Sequence, residues 1–177
     1  MVLVILAIFP SGCGSGAERS EIYRPLTFNP LVDMGKSVLP SSEQQEALEE
    51  RGLPDHFWIS LEPRSGDRVE YWTWMTRGEE LAFHNGRLIR RREVADQSGI
   101  YPPTSLRPQD FSTGTDLADL EAALGKPYFS TNSELKGKQM LLLFFTGAVV
   151  TFTDGSFSSI DTKVHPFEGL PAAETTF

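Results

Sequence analysis

Hydrophobic and polar positions follow the same order in two segments of the chain, 41–94 and 115–164. Each segment opens with a short helical pattern and continues with three runs in which apolar and polar residues alternate. The copies keep a constant offset of 69 positions (147 − 78) between Gly78 and Gly147. The same offset relates Phe83 to Phe152 and Gly86 to Gly155. So many landmarks in one order predict a tandem duplication.

A capped helix is expected at the start of each copy. Ser41 or Ser42 can cap a helix over 43–50, and Thr115 can cap a helix over 116–124. Both patterns end at a Gly that is followed two residues later by Pro, which is a typical helix stop. The two stops are Gly52-Leu53-Pro54 and Gly125-Lys126-Pro127.

Three strands are predicted after each helix. Asn85-Gly86 and Asp154-Gly155 separate alternating runs, and Asn-Gly and Asp-Gly are the strongest short-range hairpin signals. The expected fold class is α+β, with two tandem modules that each contain one helix and an antiparallel three-stranded meander. The predicted strands cover 69–76, 79–84 and 87–94 in the first copy, and 139–145, 148–153 and 156–164 in the second.

The remaining segments are predicted to target or connect these modules. Residues 1–13 run from an apolar stretch to Ser11-Gly12-Cys13, which resembles the end of a bacterial lipoprotein signal with Cys13 as the lipidated residue. A polar tether is expected over 14–40. Three prolines make 95–114 a linker or a surface strap, and 165–177 is expected to be a short tail.

The helix, its Gly-x-Pro stop and the aromatic-x-(Asn or Asp)-Gly turn resemble a known bacterial family. These are the small lipoproteins of the outer-membrane barrel-assembly machinery, the BamE/SmpA type, and the tandem arrangement is similar to the β-lactamase inhibitor protein. The matching segments are 120–127 with 149–157, and 48–54 with 81–88. The resemblance implies a protein-binding fold at the cell envelope, in the outer membrane or on the periplasmic face.

Hairpin geometry predicts which residues of the first copy share a sheet face. Two-residue turns at Arg77-Gly78 and Asn85-Gly86 would set Trp72 opposite Phe83. The helix would then cover an apolar face formed by Trp72, Trp74, Leu81, Phe83 and Leu88. The other face would carry Tyr71, Thr73, Met75, Ala82, His84, Ile89 and Arg91, a mixture that is typical of protein-binding surfaces.

The second copy is predicted to be apolar on both sheet faces. Leu141, Leu143, Val150, Phe152 and Phe157 should face the helix, which leaves Met140, Leu142, Phe144, Val149 and Ile160 on the other side. A soluble monomer rarely exposes such a patch. The first copy, the 95–114 segment, residues 20–40 or a partner protein could cover it.

Composition narrows the classes of function. The chain has 177 residues and a net charge of −8, whereas proteins that grip nucleic acid usually carry an excess of basic residues. Its single Cys excludes an intramolecular disulfide, and His56, His84 and His165 lack metal-binding spacing. No hydrolase or nucleotide-binding motif is visible, so we expect no cofactor, no metal and no catalysis.

The sequence therefore favours a non-catalytic envelope lipoprotein that binds or scaffolds another protein. An inhibitor or sensor of a periplasmic enzyme is one alternative. Binding of peptidoglycan or another envelope glycan through Trp and Arg is a second. The residues predicted for the partner-binding surface are Tyr71, Met75, His84, Ile89, Arg91, Met140, Leu142 and Phe144.

Overall fold

A computed structural model describes residues 37–62 and 64–164. The signal-like segment with Cys13, most of the predicted tether, His165 and the predicted tail lie outside the described residues. Among the described residues no helix is long and apolar enough to cross a membrane.

The described chain forms one eight-stranded antiparallel sheet with two helices on one of its faces. The strand order is β4-β3-β2-β1-β8-β7-β6-β5. The elements are α1 (Ser42–Arg51), β1 (His56–Glu62), β2 (Asp67–Trp74), β3 (Glu79–His84), β4 (Arg87–Glu93), a single 3₁₀ turn (Pro108–Asp110), α2 (Leu117–Leu124), β5 (Phe129–Leu135), β6 (Lys138–Phe145), β7 (Ala148–Thr153) and β8 (Ser156–Asp161).

The prediction of two α+β modules with three strands each is wrong. The protein is mainly β, and the two copies are halves of one continuous sheet. Each half has four strands, because β1 and β5 also pair with their neighbours. The halves join at a seam where β1 pairs with β8, with Ile59 opposite Ile160.

The helix ends follow local sequence signals. Ser41 caps α1, and its side chain accepts a hydrogen bond from the backbone N–H of Gln44 at 3.1 Å. In α2 the cap is Asp116, and not Thr115 as predicted, because the Asp116 carboxylate accepts the N–H of Asp119 at 2.9 Å. Both helices end at the predicted glycines.

The two halves share details beyond their strand order. At the Asn85-Gly86 turn, Asn85 donates its N–H to the carbonyl of Arg68 at 2.8 Å, and its side chain accepts the Arg68 N–H at 2.8 Å. Asp154 and Gln139 form the same pair of bonds in the second half, at 2.8 and 3.0 Å. The register also shifts at the same place in both halves, between Ala82 and Phe83 and between Thr151 and Phe152.

Hairpin length is where the halves differ. Four residues separate the paired ends of β1 and β2 and of β2 and β3, whereas two residues suffice at the corresponding turns of the second half. The longer turn, residues 75–78, sets Trp72 opposite Leu81 and not opposite Phe83. This register moves by two residues from the predicted one, so the faces of β2 and β3 remain as predicted.

The core lies between the sheet and the helices. It combines Phe57, Ile59, Trp72, Leu81 and Phe83 with Leu143, Val150, Phe157 and Ile160, and takes in Ala47 and Leu120 from the helices. Each fully buried large apolar side chain contributes about 1.5–3 kcal/mol relative to exposure. We call this side of the sheet the helix face and the opposite side the open face.

Segment 95–114 reaches the helix face and is bonded there by a buried ion pair. The Phe111 ring lies 5.8 Å from Phe57 and 6.1 Å from Phe157, so it spans the seam. The Arg68 guanidinium donates to the carbonyls of Pro108, at 2.8 Å, and Phe111. Its charge is balanced by Glu70, whose carboxylate lies 2.8 Å away.

Candidate binding face of the sheet

The open face carries one row of side chains that crosses all eight strands. Trp58 of β1 lies at its centre, opposite Tyr71 on one side and Asp161 on the other. Because opposed residues share a face, the strand pairing extends this row to both edges. From β4 to β5 the row reads Arg90, Ala82, Tyr71, Trp58, Asp161, Val149, Phe144 and Phe129.

Aromatic and cationic groups are in contact in the first half of this row. The Trp58 and Tyr71 ring centroids are 5.4 Å apart. The Arg90 guanidinium lies 5.5 Å from the centre of the Tyr71 ring, within the range of a cation–π interaction. Trp58, Tyr71 and Arg90 are all half-buried, so each retains surface for a ligand.

A shallow cavity of about 350 Å³ opens beside Trp58. Its wall includes the neighbouring polar row of the first half, in which Glu80 accepts hydrogen bonds from Arg92 at 3.0 Å and from Thr73 at 3.3 Å. Asp161 and Lys163 line the other side. The cavity therefore combines an aromatic surface with polar groups of both charges.

Asp161 is the acidic group at the centre of the open face. Burial raises the pKa of its carboxyl above the ordinary value of 3.8, because water is partly excluded from the charged form. The backbone N–H of Lys163, donated to the carboxylate at 2.8 Å, opposes this shift in pKa, as do the charges of His56 and Lys163.

His56 closes one end of the face. It is 2% exposed, and its ring nitrogens lie 3.0 Å from the carbonyl oxygen of Thr162 and 3.2 Å from that of Tyr101. Its ring also lies edge-on to the Tyr101 ring at 6.1 Å. Both ring nitrogens of His56 are therefore engaged by backbone carbonyls.

The second half of the open face is an apolar patch. Met140, Leu142, Phe144 and Val149 are half-buried, and Phe129 at the sheet edge is 47% exposed. The Phe129 and Phe144 ring centroids are 5.4 Å apart. Because this patch adjoins Trp58 through the central row, the face offers a continuous aromatic and apolar surface.

The structure brings five of the eight predicted binding residues onto the open face. Tyr71, Met140, Leu142 and Phe144 lie there as expected, and so does His84, whose Nε2 lies 2.8 Å from the Asp67 carboxylate.

Of the three tryptophans that the glycan alternative could use, one is accessible. Trp72 and Trp74 are 0% and 3% exposed in the core, whereas Trp58 is half-buried on the open face.

Met75 and Arg91 do not lie where the sequence predicts, and the strand pairing assigns Ile89 to neither face. Met75 lies in the four-residue turn and is 1% exposed, so it cannot contact a partner. Arg91 lies opposite Leu81 on the helix face and bonds to Glu79 at 3.0 Å. Ile89 is the extra residue of the bulge in β4, and a bulge reverses the alternation of side chains beyond it.

Ile160 was also expected on the wrong face. The bulge at Ser158 in β8 turns Ile160 into the core, where it is 0% exposed, and turns Asp161 outward. The predicted protein-binding surface left out Trp58, Asp161 and Phe129, although Trp58 belongs to the tryptophans of the glycan alternative. Trp58 had a detectable signal, because it alternates with Phe57 and Ile59 in the pattern of a strand.

Neither metal-binding groups in the described part of the chain nor comparisons with known proteins give a further guide to function. In 37–62 and 64–164 no three His, Cys, Asp or Glu side chains are grouped as ligands of a metal ion would be. No protein-family model, no curated protein and no solved structure matches this chain. The open face is thus the main structural guide to function.

Proposed function

We propose that this protein is a non-catalytic lipoprotein of the bacterial cell envelope that binds or scaffolds another protein through the open face of its sheet. The row from Arg90 through Tyr71 and Trp58 to Phe144 and Phe129 carries this proposal. Trp, Tyr and Arg supply most binding hot spots in protein interfaces, and apolar groups around them exclude water.

The resemblance to the BamE/SmpA-type lipoproteins supports the cellular setting. The apolar stretch before Cys13 supports export and lipidation, which would hold the protein at a membrane. Replacement by Cys13→Ser should move the protein from the membrane fraction to the soluble fraction. An unchanged distribution would contradict the lipid anchor, but it would not bear on the proposal that the open face binds a partner.

In-cell crosslinking of the tagged full chain tests partner binding. We expect a defined envelope protein to be captured, and its recovery to fall about ten-fold or more in a Trp58→Ala, Tyr71→Ala double variant. Leu53→Ala is the matched control, because Leu53 is 50% exposed in the loop after α1 and lies outside the row. Equal recovery from the folded double variant would refute the open face as the binding surface.

A glycan ligand is a second candidate, favoured by the cavity that joins Trp58 to Glu80, Arg92 and Asp161. Sugar rings stack on exposed aromatic faces, and charged side chains bond to hydroxyl groups. Peptidoglycan fragments should then quench the fluorescence of Trp58, and Trp58→Phe should abolish the quenching. The buried Trp72 and Trp74 provide the constant background signal. No quenching of the native chain would remove this candidate.

A further inference from the structure

Strand β5 forms one edge of the sheet, and no strand within 37–62 and 64–164 pairs with its outer side. The Lys136-Gly137 turn has positive φ at both residues, 52° and 76°, so Leu135 and Lys138 form the hydrogen-bonded pair that flanks a two-residue hairpin. Hydrogen-bonded and non-bonded pairs then alternate along β5. The backbone N–H and C=O groups of Ser130, Asn132 and Glu134 therefore point away from β6, and none of them has a backbone partner in the described part of the chain.

Three of the seven exposed large hydrophobic residues in the described chain lie at or next to this edge. Phe129 and Leu135, at the two ends of β5, are 47% and 57% exposed, and Tyr128 next to them is 41% exposed. Phe129 lies opposite Phe144 and Leu135 opposite Lys138, and their even spacing places both on the open face. An edge strand with this exposure is a template for another strand.

The opposite edge is protected in a way that β5 is not. β4 contains Arg90, Arg91 and Arg92 in succession and a bulge at Ile89, and charges and bulges both disfavour pairing between sheet edges. β5 reads Phe-Ser-Thr-Asn-Ser-Glu-Leu, with one charge, no proline and an unbroken register. Only β5 therefore combines a regular backbone with apolar ends.

The geometry points to a second copy of this chain as the occupant of the β5 edge. A two-fold axis through Asn132 would set Asn132 opposite Asn132 of the other copy, and Ser130 opposite Glu134. All three outward-pointing residues would then exchange hydrogen bonds, six in total. The same axis sets Phe129 opposite Leu135 at both ends, so each exposed apolar side chain covers the other.

This pairing is self-limiting. It consumes both β5 edges and leaves the two charged β4 edges outside, so the assembly closes at two copies. A two-fold axis perpendicular to the sheet also keeps both open faces on the same side. The inference does not depend on the proposed function, since it rests on the backbone of the edge.

Sedimentation of the full chain with substitutions at Asn132 tests the dimer. Asn132→Pro removes one outward N–H from each copy and should raise the dimer dissociation constant about ten-fold or more. Asn132→Val is the matched control, because it removes the same amide side chain, keeps the N–H and favours strand structure, so it should leave the dimer intact. A native chain that stays monomeric up to about 1 mM would overturn the inference.

Disulfide trapping tests the register and the identity of the occupant. In a Cys13→Ser background, Asn132→Cys should crosslink two copies. The Cα atoms of opposed residues in a hydrogen-bonded pair lie about 5.5 Å apart, which is within the range that a disulfide spans. Ser130→Cys should not crosslink, because its own equivalent would be displaced by four residues, or about 14 Å. Equal crosslinking at both positions, or crosslinking at Ser130→Cys alone, would refute this pairing.

Discussion

The two halves of the sheet share a backbone plan but stabilise their helix faces differently. In the first half the Glu70 carboxylate is 1% exposed and accepts hydrogen bonds from Arg68, Gln44 and Trp72. The position in β6 that corresponds to Glu70 is Leu141, which packs against the hydrophobic core. The same pairing register thus accommodates a buried ion pair in one half and an aliphatic side chain in the other.

This difference between the halves indicates the role of the buried ion pair between Arg68 and Glu70. Arg68 donates its remaining hydrogen bonds to the backbone carbonyls of Pro108 and Phe111. Its counterpart in β6, Gln139, instead donates to the side chains of Asp154 and Glu134. The polar network therefore fixes the connection between the halves, whereas the second half is stabilised by apolar packing.

The largest expected effect is at Glu70. Glu70→Ala leaves the Arg68 guanidinium buried without its counter-charge, which should lower the free energy of unfolding by about 3–5 kcal/mol. Leu141→Ala, the corresponding change in the second half, removes a half-buried aliphatic side chain and should cost about 1–2 kcal/mol. Urea denaturation of both variants measures the difference.

A triple variant sharpens this prediction. Gln44→Leu, Arg68→Gln and Glu70→Leu together make the helix face of the first half more like that of the second and remove both charges of the Arg68–Glu70 pair. The triple variant should be more stable than Glu70→Ala alone. If Glu70→Ala costs no more than Leu141→Ala, the ion pair does not have the role assigned to it.

A smaller effect, equal in the two halves, is expected at the helix stops. Gly52 has φ 77° and ψ −168°, and Gly125 has φ 79° and ψ −169°, a region that other residues rarely adopt. An added Cβ would meet nothing within 4 Å at either position, so backbone strain alone sets the cost. Gly52→Ala and Gly125→Ala should each lower the free energy of unfolding by about 1–3 kcal/mol. Thermal unfolding of the two variants should agree, and a clear difference would show that the helix ends are not equivalent.

The smallest expected effect concerns pH and Asp161, whose counterpart in the first half is Arg92. Because burial raises the pKa of Asp161, the native state holds this proton more tightly than the unfolded chain. The resulting stability is complete below pH 3.8, the ordinary pKa, and is lost as the pH rises through the folded-state pKa. As the pH rises through this pKa, the Asp161→Asn variant should therefore become more stable relative to the native chain. The midpoint of urea denaturation, measured at a series of pH values, follows this change.

Asp96→Asn is the control of opposite sign. The N–H of Ser98 lowers the pKa of the exposed Asp96 carboxyl, so its contribution is present above pH 3.8 and is lost as the pH falls through the folded-state pKa. The two variants should deviate from the native chain in opposite directions. If the stabilities of the two variants changed with pH in the same direction relative to the native chain, the conclusion that burial raises the pKa of Asp161 would be contradicted.

Local signals in the sequence predict the parts of this fold that depend on neighbouring residues. The helix stops at Gly52 and Gly125 and the turns at Asn85 and Asp154 follow from backbone preferences within a few residues. β5 escaped prediction because its side chains are mostly polar and exposed, which leaves no alternation to detect.

Features that join distant segments could not be predicted in this way. The seam between β1 and β8 depends on pairing across about a hundred residues, and no local pattern encodes its register. The bulges at Ile89 and Ser158 exchange the faces of the residues that follow them, which is why Arg91 and Ile160 were assigned to the wrong side. The buried position of Glu70 is likewise set by its partners and not by its residue type.

The seam also has a consequence for the order of folding. Each half is a series of hairpins between neighbouring strands, which close small loops and form quickly. Thr162 bonds to Phe57 across a sequence separation of 105 residues, so the seam must close a much larger loop. We therefore expect the seam to form last. During synthesis, the edge of β1 that faces β8 stays unpaired until β8, the last strand of the described sheet, has been made. The nascent chain is most exposed to incorrect strand pairing during this interval.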